Sequence, residues 1–332
     1  MVVLGIVGAT GVVGEEVISL LNNPKYNKLN FDNIKLYASK SIGKILTVGG
    51  KEYVVEKLQE KSFKEVDYAI LASSSEVSEL CYMYAKDSCV LIDNSSRFRM
   101  VKDIPLVIPE INMDLISRCD SSPTIISNPN CSTIIMLMPL VPLHKINPIK
   151  RIDVSTYQAS SGAGRNAMNE LRGQIDDIAE GENELDTTIF KKQYLLNAFV
   201  HNSEKNSETG YCEEETKIIN ETHKILQTND IEVYPTCIRI PTIRCHMESI
   251  TVTFEHSFSC DKINEILDKS DGIILDDDPH PLKYENTHDV AVGHIRKSMY
   301  NDKTFSMVVV GDQLLKGAAL NAVQILNKIV TR

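Results

Sequence analysis

An α/β protein is what the sequence predicts, with a doubly wound parallel sheet first and a second, α+β domain after it. Three observations lead there. Short β-branched runs alternate with helical patterns over the first part of the chain, the arrangement that builds a parallel sheet. After residue 128 the texture changes to an apolar helix, alternating strands and polar helical stretches. Finally, 332 residues suffice for two domains of ~100–200 residues that each bury a core.

The first run, residues 2–7, enters the turn Gly8-Ala-Thr-Gly11-Val-Val-Gly14, after which Val17, Leu20 and Leu21 recur at helical spacing. Residues 34–38, 66–72 and 89–92 read as further strands between helical stretches. Right-handed crossovers and the reversal of strand order then put a ligand at the carboxyl ends of these strands. Beyond Asn128-Pro-Asn-Cys131-Ser-Thr comes an apolar helix, followed by a strand over 152–157, a polar, helix-rich stretch over 166–227 and an alternating strand over 250–254. Residues 314–329 read as an amphipathic terminal helix. No internal repeat or Gly/Ser/Pro tract separates the parts.

Composition narrows the function classes. A net charge of −10 and a pI near 5.4 argue against binding to a phosphate backbone, which needs clustered Lys and Arg. The longest apolar run, residues 134–143, is too short to span a bilayer and holds Pro139 and Pro142. With an N-terminus that does not read as a signal peptide, this makes a cytoplasmic location with reduced thiols the expectation. The eight cysteines are scattered singly at spacings unlike a zinc site, so no metal is expected. The acidic run Asp276-Asp-Asp near His280 reads as a hydrated loop. Most of the thiols read as small buried hydrophobes.

Five motifs carry chemistry. Gly8, Gly11 and Gly14 sit between a strand and a helix, where glycines let the backbone approach a pyrophosphate held on the helix N-terminus; this is the Rossmann arrangement. The second strand ends in Ser39-Lys40-Ser41 with no acid to take a ribose 2′-hydroxyl, which suits a 2′-phosphate and favours NADP over NAD. Cys131 opens a helix whose dipole stabilises a thiolate, making it either a nucleophile or another core cysteine. Gln158 ends a strand before the small-residue loop Ala-Ser-Ser161-Gly162-Ala-Gly-Arg, which permits close approach to a ligand. In Arg239-Ile-Pro-Thr-Ile-Arg-Cys-His246, the histidine is in register with Ile250, Val252 and Phe254 and points to the apolar face, as a site residue or as a hydrogen-bonded core histidine. Arg239 could fork onto a carboxylate.

Together and in this order, the motifs closely resemble those of the aspartate-β-semialdehyde dehydrogenases. The resemblance extends to Asp93-Asn-Ser-Ser-Arg-Phe-Arg99, Val107-Ile-Pro-Glu110, Glu214-Glu-Thr-Lys217 and Gly311-Asp-Gln313-Leu-Leu-Lys-Gly-Ala-Ala, nearly the whole chain. It implies NADPH-dependent reductive dephosphorylation of L-4-aspartyl phosphate to L-aspartate 4-semialdehyde, a reversible step toward lysine (with diaminopimelate), threonine and methionine. Cys131 matches the nucleophile that forms a thioester, His246 the general acid/base, and Gln158 the residue that positions the acyl group. Imidazole titrates near ~6.5 when unperturbed, so exchange of its proton near neutrality is the expectation. Arg239 and Glu214 match the groups that hold the substrate carboxylate and amine, and Arg99, Asn130 and Lys217 the phosphate site. Gly8, Thr10, Gly11, Val12, Val13, Ser39, Lys40, Ser41, Ser161, Gly162 and Gln313 match cofactor contacts. The resemblance implies a homodimer or homotetramer, with an NADP-binding domain of residues 1–128 and 313–332 and a catalytic and dimerisation domain of residues 129–312. Two departures stand out: residues 194–202 are looser than the usual pattern, and His294 stands where arginine is common. An N-acetylglutamyl-phosphate reductase-like enzyme and a non-catalytic nucleotide-binding relative are the competing readings.

Overall fold

The computed structural model describes residues 2–26, 31–85, 88–118, 124–182 and 184–331; Cys119 lies outside them. By compactness the chain divides into one unit of Met1–Asn130 and Gly317–Arg332 and another of Cys131–Lys316.

In the first unit the strands β1 (Val3–Val7), β2 (Asn33–Tyr37), β3 (Ile45–Val48), β4 (Lys51–Glu56), β5 (Tyr68–Leu71), β6 (Val90–Asp93) and β7 (Ile125–Ser127) line up as β3-β4-β2-β1-β5-β6-β7. All pairings are parallel except the edge pair β3 and β4, an antiparallel hairpin that the sequence reading did not anticipate. Leu4, Ile6, Leu36, Ile70 and Ile92 are fully enclosed, as befits strands covered on both faces by crossover helices. The helices are α1 (Val12–Asn22), α2 (Ser75–Ala85) and the short α3 (Pro109–Asn112). From β1 the chain builds outward to β2 on one side and β5 on the other, so the switch point lies at the end of β1, where the glycine turn begins.

Gly8 shows what that turn demands. Its φ is +83°, and a Cβ built on it would lie 2.1 Å from the carbonyl oxygen of Ala72, at the end of β5. Two strand ends therefore touch backbone to backbone at this residue. Gly8→Ala combines a left-handed conformation with a backbone clash, and a loss of about 2–4 kcal/mol of stability is expected from the two together. Chemical denaturation checks it; an unchanged midpoint would show that the turn can yield.

The chain returns to this unit through its terminal helix, Leu320–Val330. Asn321 donates to the carbonyl of Val107 and to Asn128 Oδ1 at 2.9 and 2.7 Å, and Gln324 donates to Glu110 at 2.8 Å. The expected single amphipathic helix over 314–329 is corrected here: Leu315–Ala319 forms a wider π-type turn, and regular α-helix starts only at Leu320. Within that helix burial is one-sided as expected: Leu320, Asn321, Ala322, Val323, Ile325 and Leu326 are enclosed, and Gln324, Asn327 and Lys328 share the less buried face.

The second unit contains α4 (Cys131–His144), β8 (Ile149–Gln158), α5 (Arg165–Glu180), β9 (Phe199–Val200), α6 (Glu213–Leu226), β10 (Glu232–Arg239), β11 (His246–Phe254), α7 (Cys260–Asp268), β12 (Ile273–Leu275), α8 (Pro281–Tyr284), β13 (Val290–Lys297) and β14 (Thr304–Gly311). Its sheet runs β12-β13-β14-β11-β8-β10-β9 and mixes parallel with antiparallel pairs. Burial alternates along β10 and β11 and through most of β8 and β14, so each of them presents one enclosed face. Helix α4 is apolar all round and almost wholly buried, with Pro139 and Pro142 inside it. The expected helix-rich stretch holds only at its ends, in α5 and α6. Gly181, at φ +82°, stops α5, and the following loop is tied down instead by hydrogen bonds: Gln174 accepts from the amides of Tyr194 and Leu195, and Glu170 from those of Ile189 and Phe190.

Candidate active site

The strands of the second unit end in a row. Arg239 pairs with Gln158, His246 with Gly311, and Phe199 with Arg239, while His246 stands one residue beyond the Met247–Tyr157 pair, in line with Gln158. Neighbouring strands lie ~4.8 Å apart, so Gln158, His246 and Arg239 share one stretch of the enclosed face within ~10 Å. Strand parity is the sequence signal that found His246; Gln158 was read from its strand end before a small-residue loop, and Arg239 from its capacity to fork onto a carboxylate.

Helix α4 joins this row by close packing. A Cβ on Gly311 would come within 2.9 Å of Ile135 Cγ1, so the helix rests on β14 where the side chain is missing. Residues four apart share a helix face, and Ile135 lies four after Cys131, which is the first residue of α4 and half-buried. The next residue, Ser132, accepts from Gln158 Nε2 at 2.9 Å, which ties the helix start to the strand end. Five other cysteines differ in kind, whereas Cys260, which opens α7, is half-buried like Cys131. Burial pushes the thiols of Cys81 and Cys89 up to about 12 and those of Cys237 and Cys245 higher still; Cys212 is raised as well.

His246 is wholly enclosed, and the amide of Ala159 donates to its Nδ1 at 3.2 Å. An accepting Nδ1 puts the proton of the neutral ring on Nε2, and Nε2 has no hydrogen-bond partner. Burial first, and then the charge of Arg239, push its pKa down to about 3. This corrects the expectation of titration near neutrality: the site keeps the imidazole neutral and presents an Nε2–H donor. The backbone before it is strained, with Cys245 at φ +68°, and is held by Arg244, whose Nε donates to the buried Asp312 at 2.6 Å. Asp312 also accepts from the amides of Asn286 and Leu314. Sequence reasoning quoted Arg244 and Asp312 within motifs but gave them no task.

Arg239 is nearly buried. Its Nη1 donates to the carbonyl of Ala159 at 3.0 Å, its Nη2 lies 2.7 Å from His201 Nε2, and the guanidinium sits 5.8 Å from the ring centroid of Phe190. Its Nε has no partner. Glu214, in the first turn of α6, receives Gln158 Nε2 at 3.3 Å and lies 3.7 Å from Lys217 Nζ; Lys217 is also 2.9 Å from Glu213. A cation donor set and an acid thus flank the row. Gly162 faces both chemistry and recognition, because a Cβ there would lie 3.2 Å from His246 Nε2 and from Arg239 Nη1.

The remaining expected residues fall as follows. Gln313 donates from Nε2 to Ser161 Oγ. Arg99 and Asn130 are buried in the first unit, Arg99 Nη2 donating to the carbonyl of Asn94 at 2.8 Å. Gly11 caps α1 without a side-chain hydrogen bond, Thr10, Val12 and Val13 are half-buried at that turn, and a Cβ on Gly14 would meet the Gly8 carbonyl at 2.1 Å. Ser39, Lys40 and Ser41 are exposed beyond the end of β2. Among the described residues no group of three or more His, Cys, Asp or Glu is arranged to hold a metal ion, and Asp276 is engaged by Lys283 and the Tyr284 hydroxyl, each at 2.7 Å. No helix among them is long and apolar enough to cross a membrane.

A parallel sheet with a glycine turn at its switch point in one unit, and a cysteine–glutamine–histidine row in the other, point to the dehydrogenase class, and two family models agree. Residues 3–119 match the semialdehyde dehydrogenase NAD binding domain and residues 140–316 the semialdehyde dehydrogenase dimerisation domain. The chain is 37% identical to the aspartate-semialdehyde dehydrogenase of Prochlorococcus marinus over 99% of its own length and 96% of the relative's. It is 41% identical to that of Aquifex aeolicus, with 98% and 97% covered. The crystal structure of aspartate semialdehyde dehydrogenase II from Vibrio cholerae, complexed with ASA, superposes with a TM-score of 0.95 at 34% identity, covering 100% of this chain and 98% of that one. The chain belongs to the aspartate-semialdehyde dehydrogenase family.

Proposed function

We propose that the chain reduces L-4-aspartyl phosphate to L-aspartate 4-semialdehyde with release of phosphate, reversibly and with NADPH, as one step of amino-acid biosynthesis toward lysine, threonine and methionine. One observation supports this above others. A fully enclosed His246 presents an unpartnered Nε2 beside the Arg239 guanidinium, and Gln158 spans from the helix that Cys131 opens to Glu214.

The Cys131 thiolate attacks the acyl carbon, a C–S bond forms, and the C–O bond to phosphate breaks. Nε2–H of His246 is the hydrogen-bond donor for the oxyanion of the tetrahedral states; the alkoxide that follows hydride addition collapses to the aldehyde as the C–S bond breaks and Cys131 leaves as thiolate, so the ring keeps its proton. Gln158 orients the acyl oxygen. Arg239 takes the α-carboxylate through its remaining N–H groups and Glu214 the α-ammonium, so together they select an amino acid. Arg99, Asn130 and Lys217 are assigned to the phosphate. A reduced nicotinamide, when bound, supplies hydride to the thioester carbon. The uncapped first turn of α1 and the glycines at 8, 11 and 14 fit a pyrophosphate, with Thr10, Val12 and Val13 at the turn, and Lys40 with Ser39 and Ser41 suits a 2′-phosphate. Ser161, Gly162 and Gln313 are assigned to the same cofactor. The match to a dimerisation domain supports a homodimer or dimer of dimers, and the location proposed is cytoplasmic.

The decisive assay is phosphate-dependent NADPH formation from L-aspartate 4-semialdehyde, repeated with NAD⁺. Reduction of NADP⁺ without phosphate would overturn the phosphorylating reaction. Glu214→Ala separates this reading from an N-acetylated substrate, whose amide cannot pair with a carboxylate. KM for the free-amine substrate is expected to rise at least ~10-fold, the scale of one charge-assisted bond. Little change would favour the acetylated compound.

A further inference from the structure

We propose that His201 is a specificity-determining positioning residue, a neutral acceptor that holds the Arg239 guanidinium in place and couples it to the start of α6, where Glu214 sits. The inference rests on the substrate reading given above, in which Arg239 and Glu214 grip the two charged groups of an amino acid.

The contact is built by a strand of two residues. Strand β9 pairs with the last two residues of β10, Phe199 opposite Arg239 and Val200 opposite Ile238. The amide of His201 then donates to the Cys237 carbonyl at 2.8 Å. The loop before it is anchored on α5 by Gln174 and Glu170, and delivers Phe190 and Tyr194 to the same place; Tyr194 donates its hydroxyl to the Gln158 carbonyl at 3.2 Å. His201 is therefore set alongside Arg239 by main-chain bonds rather than by chance of rotamer.

Proton accounting fixes its state. A guanidinium has donors only, so at 2.7 Å His201 Nε2 must accept from Arg239 Nη2. The ring proton is then on Nδ1, which donates to Ser203 Oγ at 3.0 Å. The Ser203 amide also lies 3.2 Å from Nδ1, but a protonated nitrogen cannot accept from it. Ser203 Oγ in turn accepts from the amide of Glu214 at 3.2 Å. One chain of bonds thus runs from the carboxylate clamp to the backbone of the amine-binding acid. Burial and then Arg239 hold the ring neutral, its pKa pushed down to about 4. Arg239 spends one N–H on Ala159 and one on His201, and three of its five donors are left for a ligand, Nε among them.

The test compares wild type, His201→Gln and His201→Ala with two aldehydes, L-aspartate 4-semialdehyde and 3-aminopropanal, which lacks the α-carboxylate. Glutamine keeps an acceptor for Arg239 and a donor for Ser203; alanine keeps neither. For His201→Ala, KM for the semialdehyde should rise at least ~10-fold with kcat within about threefold. The preference for it over 3-aminopropanal should shrink by the same factor, and His201→Gln should restore most of both. Equal losses on the two aldehydes, or no loss in the alanine variant, would overturn the assignment. A wild-type enzyme inactive on the semialdehyde would instead overturn the substrate reading, so the two failures are distinct. Circular dichroism and thermal melting exclude an unfolded alanine variant, and the glutamine variant carries the comparison if alanine does not fold.

Discussion

Cys131→Ser is expected to lower phosphate-dependent NADPH formation at least ~1,000-fold while leaving the fold and substrate affinity intact. The reason is specific to the position. A helix N-terminus favours a thiolate over a thiol, whereas a hydroxyl in the same place stays protonated. The oxygen ester that serine would form is also a poorer hydride acceptor than a thioester. Thiol alkylation gives a second readout. Cys131 should react quickly and be protected by substrate, against a background from which burial removes Cys81, Cys89, Cys212, Cys237 and Cys245 by holding them protonated; reaction at the half-buried Cys260 should be insensitive to substrate. A serine variant retaining more than about a tenth of wild-type turnover would sink the thioester route.

His246→Ala is the second large effect, with an expected fall in kcat of ~100- to 10,000-fold and a small change in KM. Its pH dependence is the sharper test. Burial and Arg239 disfavour the imidazolium, so the ring gains its second proton only as pH falls toward about 3. The neutral Nε2–H form then persists across the whole range from pH 5 to 8, and kcat should show no acid limb that belongs to this residue. A limb with a midpoint between pH 6 and 7 that vanishes in the alanine variant would contradict the geometry at Ala159 and Nδ1.

How far the sequence carried differs residue by residue. His246 was legible because a two-residue period fixes which face a strand side chain takes, Gln158 because it ends a strand before a small-residue loop, and Cys131 because Asn-Pro-Asn before an apolar run marks a helix start. The glycine turn and its strand were legible for the same local reasons. His201 was not. It lies 38 residues from Arg239, in a loop whose course is set by Gln174 and Glu170 rather than by any pattern of its own, and its strand is too short to leave a period. The neutrality of His246 was hidden too, since the depth of burial and the approach of Arg239 are properties of the assembled sheet. Asp312 and Arg244 were visible as motif letters, but only their contact explains how a left-handed Cys245 is held.

The position of β9 at the rim of its sheet has a consequence for divergence. His246 and Gln158 stand on interior strands, where a register slip would turn every neighbouring side chain over. His201, proposed to hold Arg239, directly follows the outermost strand, which is two residues long and fed by a loop tied to α5 and, through Tyr194, to the Gln158 carbonyl. A lineage could therefore exchange the 181–212 segment and acquire a different acyl phosphate while inheriting the reaction unchanged. The rim of the sheet is thus where substrate preference can change first, since Arg239 itself is paired with Gln158 in the interior.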